Sequence, residues 1–122
     1  MDMPLANRKI KAALQLHELG NLQQAEEIYR EVLAVLPEHQ DALHLLGLVA
    51  YQTGHYDEAL ELIFQALDVD NAQPDFYNNL GRVLEAKGLS DRAELSYQTA
   101  LELDASHAQA QANLAKLKAA TA

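Results

Sequence analysis

Glycine stands at Gly20, Gly54 and Gly88, and both intervals are 34 residues. A unit of fixed length written three times constrains the fold more than any other feature of the chain. The same step relates Ala25, Ala59 and Ala93, the leucines Leu33, Leu67 and Leu101, and the bulky Tyr29, Ile63 and Tyr97. The small residues Ala13, Gly47 and Gly81 keep it too. A period of this size means stacked supersecondary units, none of which can bury its apolar face alone.

Each unit reads as two helices. The first is expected over roughly 4–19, 39–53 and 74–87, the second over roughly 22–35, 56–69 and 90–103. Apolar residues recur at helical steps, as in Leu43, Leu46 and Ala50 or Leu60, Ile63 and Leu67. The glycine stops the first helix because it reaches the left-handed conformation without a Cβ clash. Second helices should end near Pro37, Asn71 and Ala105, and Pro74 suits a first helical turn. Asp57 and Ser90 stand where a side-chain oxygen can cap free amides. Ala13, Gly47 and Gly81 are expected to face Ala25, Ala59 and Ala93 at close helix crossings, with the tyrosines and Ile63 filling the wider gap beyond. A last amphipathic helix over about 107–120 offers Ala110, Leu114 and Leu117 to the core and polar residues to water, as a terminal cap requires.

The 122 residues are 49% hydrophobic, enough for one folded domain. The formal net charge of −9 repels phosphate backbones, so nucleic acid is an unfavourable partner and a basic peptide a favourable one. No apolar stretch is long enough to cross a bilayer. The absence of cysteine and of a basic-then-apolar leader fits the cytoplasm.

Leu46-Gly47, Gly54-His55-Tyr56, Ala59 and Ala66, with their counterparts Leu80-Gly81, Gly88, Ala93 and Ala100, resemble the tetratricopeptide repeat, or TPR. The resemblance covers nearly the whole chain. It implies an all-α fold, a right-handed α-solenoid of three helix pairs at about 6–39, 40–73 and 74–107 with a capping helix at about 108–120. The chain departs from the pattern at Lys9, where the other units carry Leu43 and Tyr77.

The chain's chemical motifs are incomplete. His17-Glu18 opens like a zinc-protease motif, but Asn21 stands where the second histidine belongs. His39 and His44 are badly spaced for one helical face. Asp68-Val69-Asp70-Asn71 opens like a calcium loop, yet Gln73 and Asn79 stand where glycine and a bidentate glutamate are needed. No phosphate loop or nucleophile elbow is present. No metal, no cofactor and no enzymatic activity are expected.

The resemblance places ligands in a concave groove lined by the first helices. The groove residues are then Ile10, Leu14 and His17; His44, Leu48 and Tyr51; Asn78, Asn79 and Arg82, with Glu85; and Asn113, with Lys116. Its N-terminal part is apolar and aromatic, its C-terminal part polar. The lysine–asparagine–arginine clamp that some TPR domains use for acidic C-terminal peptides is incomplete, because Ile10 and Leu14 occupy two of its places. Asn79 before Leu80-Gly81 and Asn113 before Leu114-Ala115 match asparagines that hold peptide backbones in some long arrays; Lys11 and Leu45 interrupt that ladder. The expected function is a protein-binding scaffold or adaptor. The alternatives are the docking segment of a larger enzyme, such as a bacterial transferase, and a self-assembling module.

Overall fold

Three identical backbone turns set the ends of the first helices. Gly20, Gly54 and Gly88 take φ of 85°, 83° and 79°. In each, the glycine amide donates three residues back and the next amide five back: Gly20 to His17 and Asn21 to Leu16, Gly54 to Tyr51 and His55 to Ala50, Gly88 to Glu85 and Leu89 to Leu84. This is the Schellman pattern, which satisfies carbonyls the helix end would otherwise leave open. In the computed structural model, which describes residues 1–121, the turns separate α1 (Met3–Glu18) from α2 (Leu22–Val35), α3 (Gln40–Gln52) from α4 (Tyr56–Val69), and α5 (Pro74–Ala86) from α6 (Ser90–Leu103). The seventh helix, α7, spans Ala108–Thr121, and no strand occurs among the described residues. The expected second helices coincide with α2, α4 and α6. The fold is an all-α helical repeat.

The capping differs from expectation. Asp2 caps α1, its Oδ1 accepting from the Leu5 amide at 2.9 Å, with Pro4 in the first turn. Ser90 is the first residue of α6, as expected, but the cap position is Leu89, which makes no side-chain bond. The side-chain caps fall instead to histidines. His39 Nδ1 accepts from the Ala42 amide at 3.2 Å, and His107 Nδ1 accepts from the Ala110 amide at 3.0 Å.

The chain forms two compact units, the first spanning Met1–Val69 and the second starting at Asp70. In the first, α1 packs on α2 and α3, and α3 on α2 and α4. Ala6, Ile10 and Ala13 of α1 meet Ala25, Tyr29 and Val32 of α2 and Ala42, Leu46 and Val49 of α3 in one core. Lys9, beside this stripe, bonds Glu31 across the α1–α2 pair at 2.9 Å. In the second unit, α6 packs on α5 and α7, and α5 also touches α7. Phe76, Leu80, Val83 and Leu84 of α5, Tyr97 of α6, and Ala110 and Leu117 of α7 are buried.

The expected close crossing is seen at Gly47, with one correction to the place of the large residues. A Cβ added at Gly47 would lie 3.0 Å from Ile63 Cγ1 and 3.5 Å from the Ala59 carbonyl oxygen. One added at Gly81 would lie 2.7 Å from Tyr97 Cδ1 and 2.8 Å from its Cζ. The large residues therefore do not fill a gap beyond the crossing. They lie directly over the glycines, and at Gly81 the missing side chain is the space the Tyr97 ring occupies.

Candidate functional site

The helical period decides which expected groove residues are open. On α1, Ala6, Ile10 and Ala13 recur at steps of four and three and form the core stripe. Ile10 is only 6% exposed, so it belongs to the core and offers no contact surface, contrary to expectation. Leu14 and His17 sit beside that stripe, half-buried. Leu48 and Tyr51 occupy the equivalent places on α3 and are also half-buried, whereas His44 is buried.

The ring nitrogens of His17 are both engaged. Nε2 bonds Gln52 Oε1 at 2.5 Å and Nδ1 bonds the Tyr29 hydroxyl at 3.2 Å. Since an amide oxygen only accepts, the proton sits on Nε2, and Nδ1 accepts from the phenol. The two rings meet edge-on, with centroids 6.0 Å apart. Burial, with the nearby Glu18 carboxylate, pushes the Tyr29 phenol up to about 12. Tyr51 makes a different contact: its ring is tilted 44° against Tyr56, with centroids 6.0 Å apart.

In the second unit the polar residues bond one another. Asn78 is 1% exposed; its Nδ2 donates to Gln109 Oε1 at 3.3 Å and its Oδ1 accepts from Asn113 Nδ2 at 2.9 Å. Asn78 was expected to face a ligand; it instead ties α5 to α7. Asn79 is buried, and its Oδ1 accepts from Arg82 Nη1 at 3.1 Å. Arg82 and Asn113 are half-buried. Glu85 Oε2 accepts from the Tyr97 hydroxyl at 2.6 Å.

Sequence reasoning missed two histidine ties. With Nδ1 of each cap accepting an amide, Nε2 is the donor. His39 reaches Asn7 Oδ1 at 2.9 Å, and His107 reaches Asp75 Oδ1 at 2.6 Å. The separation is 32 residues both times, so each ties the entry of one helix to the first helix of the repeat before it. The signal was present, since Asn7 with His39 and Asp75 with His107 recur two periods apart.

Among the described residues no group of three or more histidines and carboxylates could hold a metal ion, and no helix is long and apolar enough to cross a membrane. Tetratricopeptide repeat models match residues 16–80 and 54–108, together most of the chain. The chain belongs to the tetratricopeptide repeat family. Among TPR relatives, human tetratricopeptide repeat protein 7B is 34% identical over 104 residues, 84% of this chain but only 12% of that protein. The O-GlcNAc transferase structure from Thermobaculum terrenum superposes with a TM-score of 0.86 and 32% identity, covering 92% of this chain and 22% of that one. The first TPR of Spaghetti (RPAP3), bound to an HSP90 peptide, reaches a TM-score of 0.89 at 16% identity over 99% of this TPR chain and 96% of its own.

Proposed function

We propose that the chain is a non-catalytic protein-interaction module that holds a peptide or extended protein segment against the faces of its first helices. One observation carries this reading. Leu14 and Leu48 stand one period apart on α1 and α3, two helices in contact, and the core does not close over either. Tyr51, one turn beyond Leu48, extends the strip. Apolar side chains kept half-open at repeated places suit a ligand that replaces the water on them. His17 and His44 border the strip, and Ile10 supports it from the core. In the second unit, Arg82 and Asn113 are proposed as polar contacts, with Asn79 holding Arg82 and Asn78 holding Asn113 in place.

The RPAP3 structure holds a peptide ending in acidic residues. Here the chain's charge of −9 and the apolar Leu14 favour an apolar or basic segment instead. Affinity near micromolar, about −8 kcal/mol, suits such a surface. The unbroken 34-residue register from Gly20 to Gly88 supports reading the chain as one domain. A cytoplasmic setting belongs to the same proposal, since the cysteine-free chain has no disulfide to form.

The test is selection of displayed peptides on the intact protein, followed by calorimetry with Leu48→Glu and Tyr51→Ala. Both substitutions should abolish binding while the melting temperature hardly moves, because an unpaired charge cannot be buried under a ligand cheaply. Unfolding by Leu48→Glu would show that the residue is core. Full binding would place the ligand elsewhere. Concentration-dependent sedimentation that Leu48→Glu removes would make a second copy the occupant.

The likeness to the Thermobaculum transferase favours a second reading, a docking segment of a larger transferase. It expects a catalytic domain elsewhere in the natural chain. It also expects Leu48→Glu to lower transfer to protein acceptors and spare small ones.

A further inference from the structure

Away from the strip on α1 and α3, the first unit holds a cleft of about 660 Å³ at the corner between α2 and α3. Its apolar wall is Met3, Val35 and Val69, which are 51%, 51% and 45% exposed, together with Pro37. These come from the start of α1, the end of α2, the connecting loop and the end of α4. A smaller hollow of about 440 Å³ shares Pro37, Glu38 and Val69 with it and continues to Asp68. Three large apolar side chains left about half-open around one hollow invite cover.

Along the adjoining helices several acids have cations of their own. Glu26 and Glu58 share Arg30 at 2.9 and 2.8 Å, and Glu31 takes Lys9 at 2.9 Å. Around the two hollows the acids are Glu38, Asp41 and Asp68, and no lysine or arginine lines either one. None of the three acids forms an ion pair among the described residues. The wall behind them is fixed, because both His39 ring nitrogens are bonded, one to the α3 entry and one to Asn7.

We propose that this corner is a second docking surface, distinct from the strip of Leu14 and Leu48, and that it takes an extended peptide carrying one lysine or arginine between bulky apolar residues. The apolar side chains enter between Met3, Val35 and Val69. The cation lies over Glu38 and Asp41, which have no cation of their own. Complementary charge fixes the sign of the partner, and the preformed wall lowers the cost of ordering it.

The probe is a fluorescein-labelled peptide, Gly-Ser-Leu-Arg-Leu-Ser-Gly, titrated by anisotropy against the full chain. A counterpart with glutamate in place of arginine is run in parallel. The arginine peptide should bind and the glutamate peptide should not, and added salt should weaken binding. Glu38→Lys and Val69→Ser should each weaken it by about tenfold or more, while Leu48→Glu leaves it unchanged. On the unsubstituted protein, amide chemical shifts should move at Val35, Glu38 and Val69. Equal binding of both peptides, no binding, or shifts confined to α1 and α3 around Leu14 and Leu48 would overturn the proposal. So would a dimer that Val69→Ser dissociates, which would show the corner to be covered by a second copy.

Discussion

The Tyr97 hydroxyl donates to Glu85 across twelve residues, and the Tyr29 hydroxyl donates to His17 across the same twelve. Each bond joins the end of a first helix to the second helix that packs on it. Between them, the middle repeat carries Tyr51 and Ile63 at those places and forms no such bond. There Ile63 is fully buried, contributing about 2 kcal/mol by burial alone. The Tyr51 ring lies against Tyr56.

Tyr29 makes the fold sensitive to alkali. Its phenol, pushed up to about 12, is raised above its unfolded value, so folding favours the protonated form. That contribution is whole below pH about 10 and is lost as the pH rises through about 12. Thermal melts should fall across this window. Tyr29→Phe should flatten the fall and cost about 0.5–1.5 kcal/mol at neutral pH.

The two helix-embedded glycines should respond unequally to alanine. Gly81→Ala drives a methyl into the Tyr97 ring, which a hydroxyl bond also holds, and should cost about 1–3 kcal/mol in urea unfolding. Gly47→Ala meets Ile63 Cγ1 at 3.0 Å, with the Ala59 carbonyl oxygen and Leu62 Cβ at an ordinary 3.5 Å. There the gain in helix propensity, about 1 kcal/mol, offsets most of the strain.

His39→Ala removes both a helix cap and a tie to Asn7, and should cost about 1–2 kcal/mol. His39→Asn should recover part of this, because asparagine caps well but is too short to keep the Asn7 bond. Hydrogen exchange at Ala42 would report the lost cap directly.

Asn78→Ala should cost about 1–3 kcal/mol, because it strips the partner from Asn113 and the acceptor Gln109 at once. The loss should show first as faster exchange in α7.

The repeat and its helix ends were legible because they are local. A glycine stop and a helical period each depend on residues within a turn or two. Ile10 was misplaced because Ala6, Ile10 and Ala13 make a stripe whose edge lies between Ile10 and Leu14, and only the packing of α2 and α3 fixes that edge. The ties of His39 to Asn7 and His107 to Asp75 depend on how one helix pair meets the next helix. A separation of 32 residues does not by itself say that two side chains meet, although the recurrence of both pairs two periods apart carries that signal.

The left-handed glycines carry a use of their own. A methyl added at Gly20, Gly54 or Gly88 would meet nothing within 4 Å, so alanine at each introduces the same conformational penalty and no collision. The chain thus holds one perturbation in triplicate. If Gly20→Ala, Gly54→Ala and Gly88→Ala lower the melting temperature equally, unfolding is concerted from end to end. If they differ, the ranking is a map of which turn opens first, written by a single chemical change at three addresses.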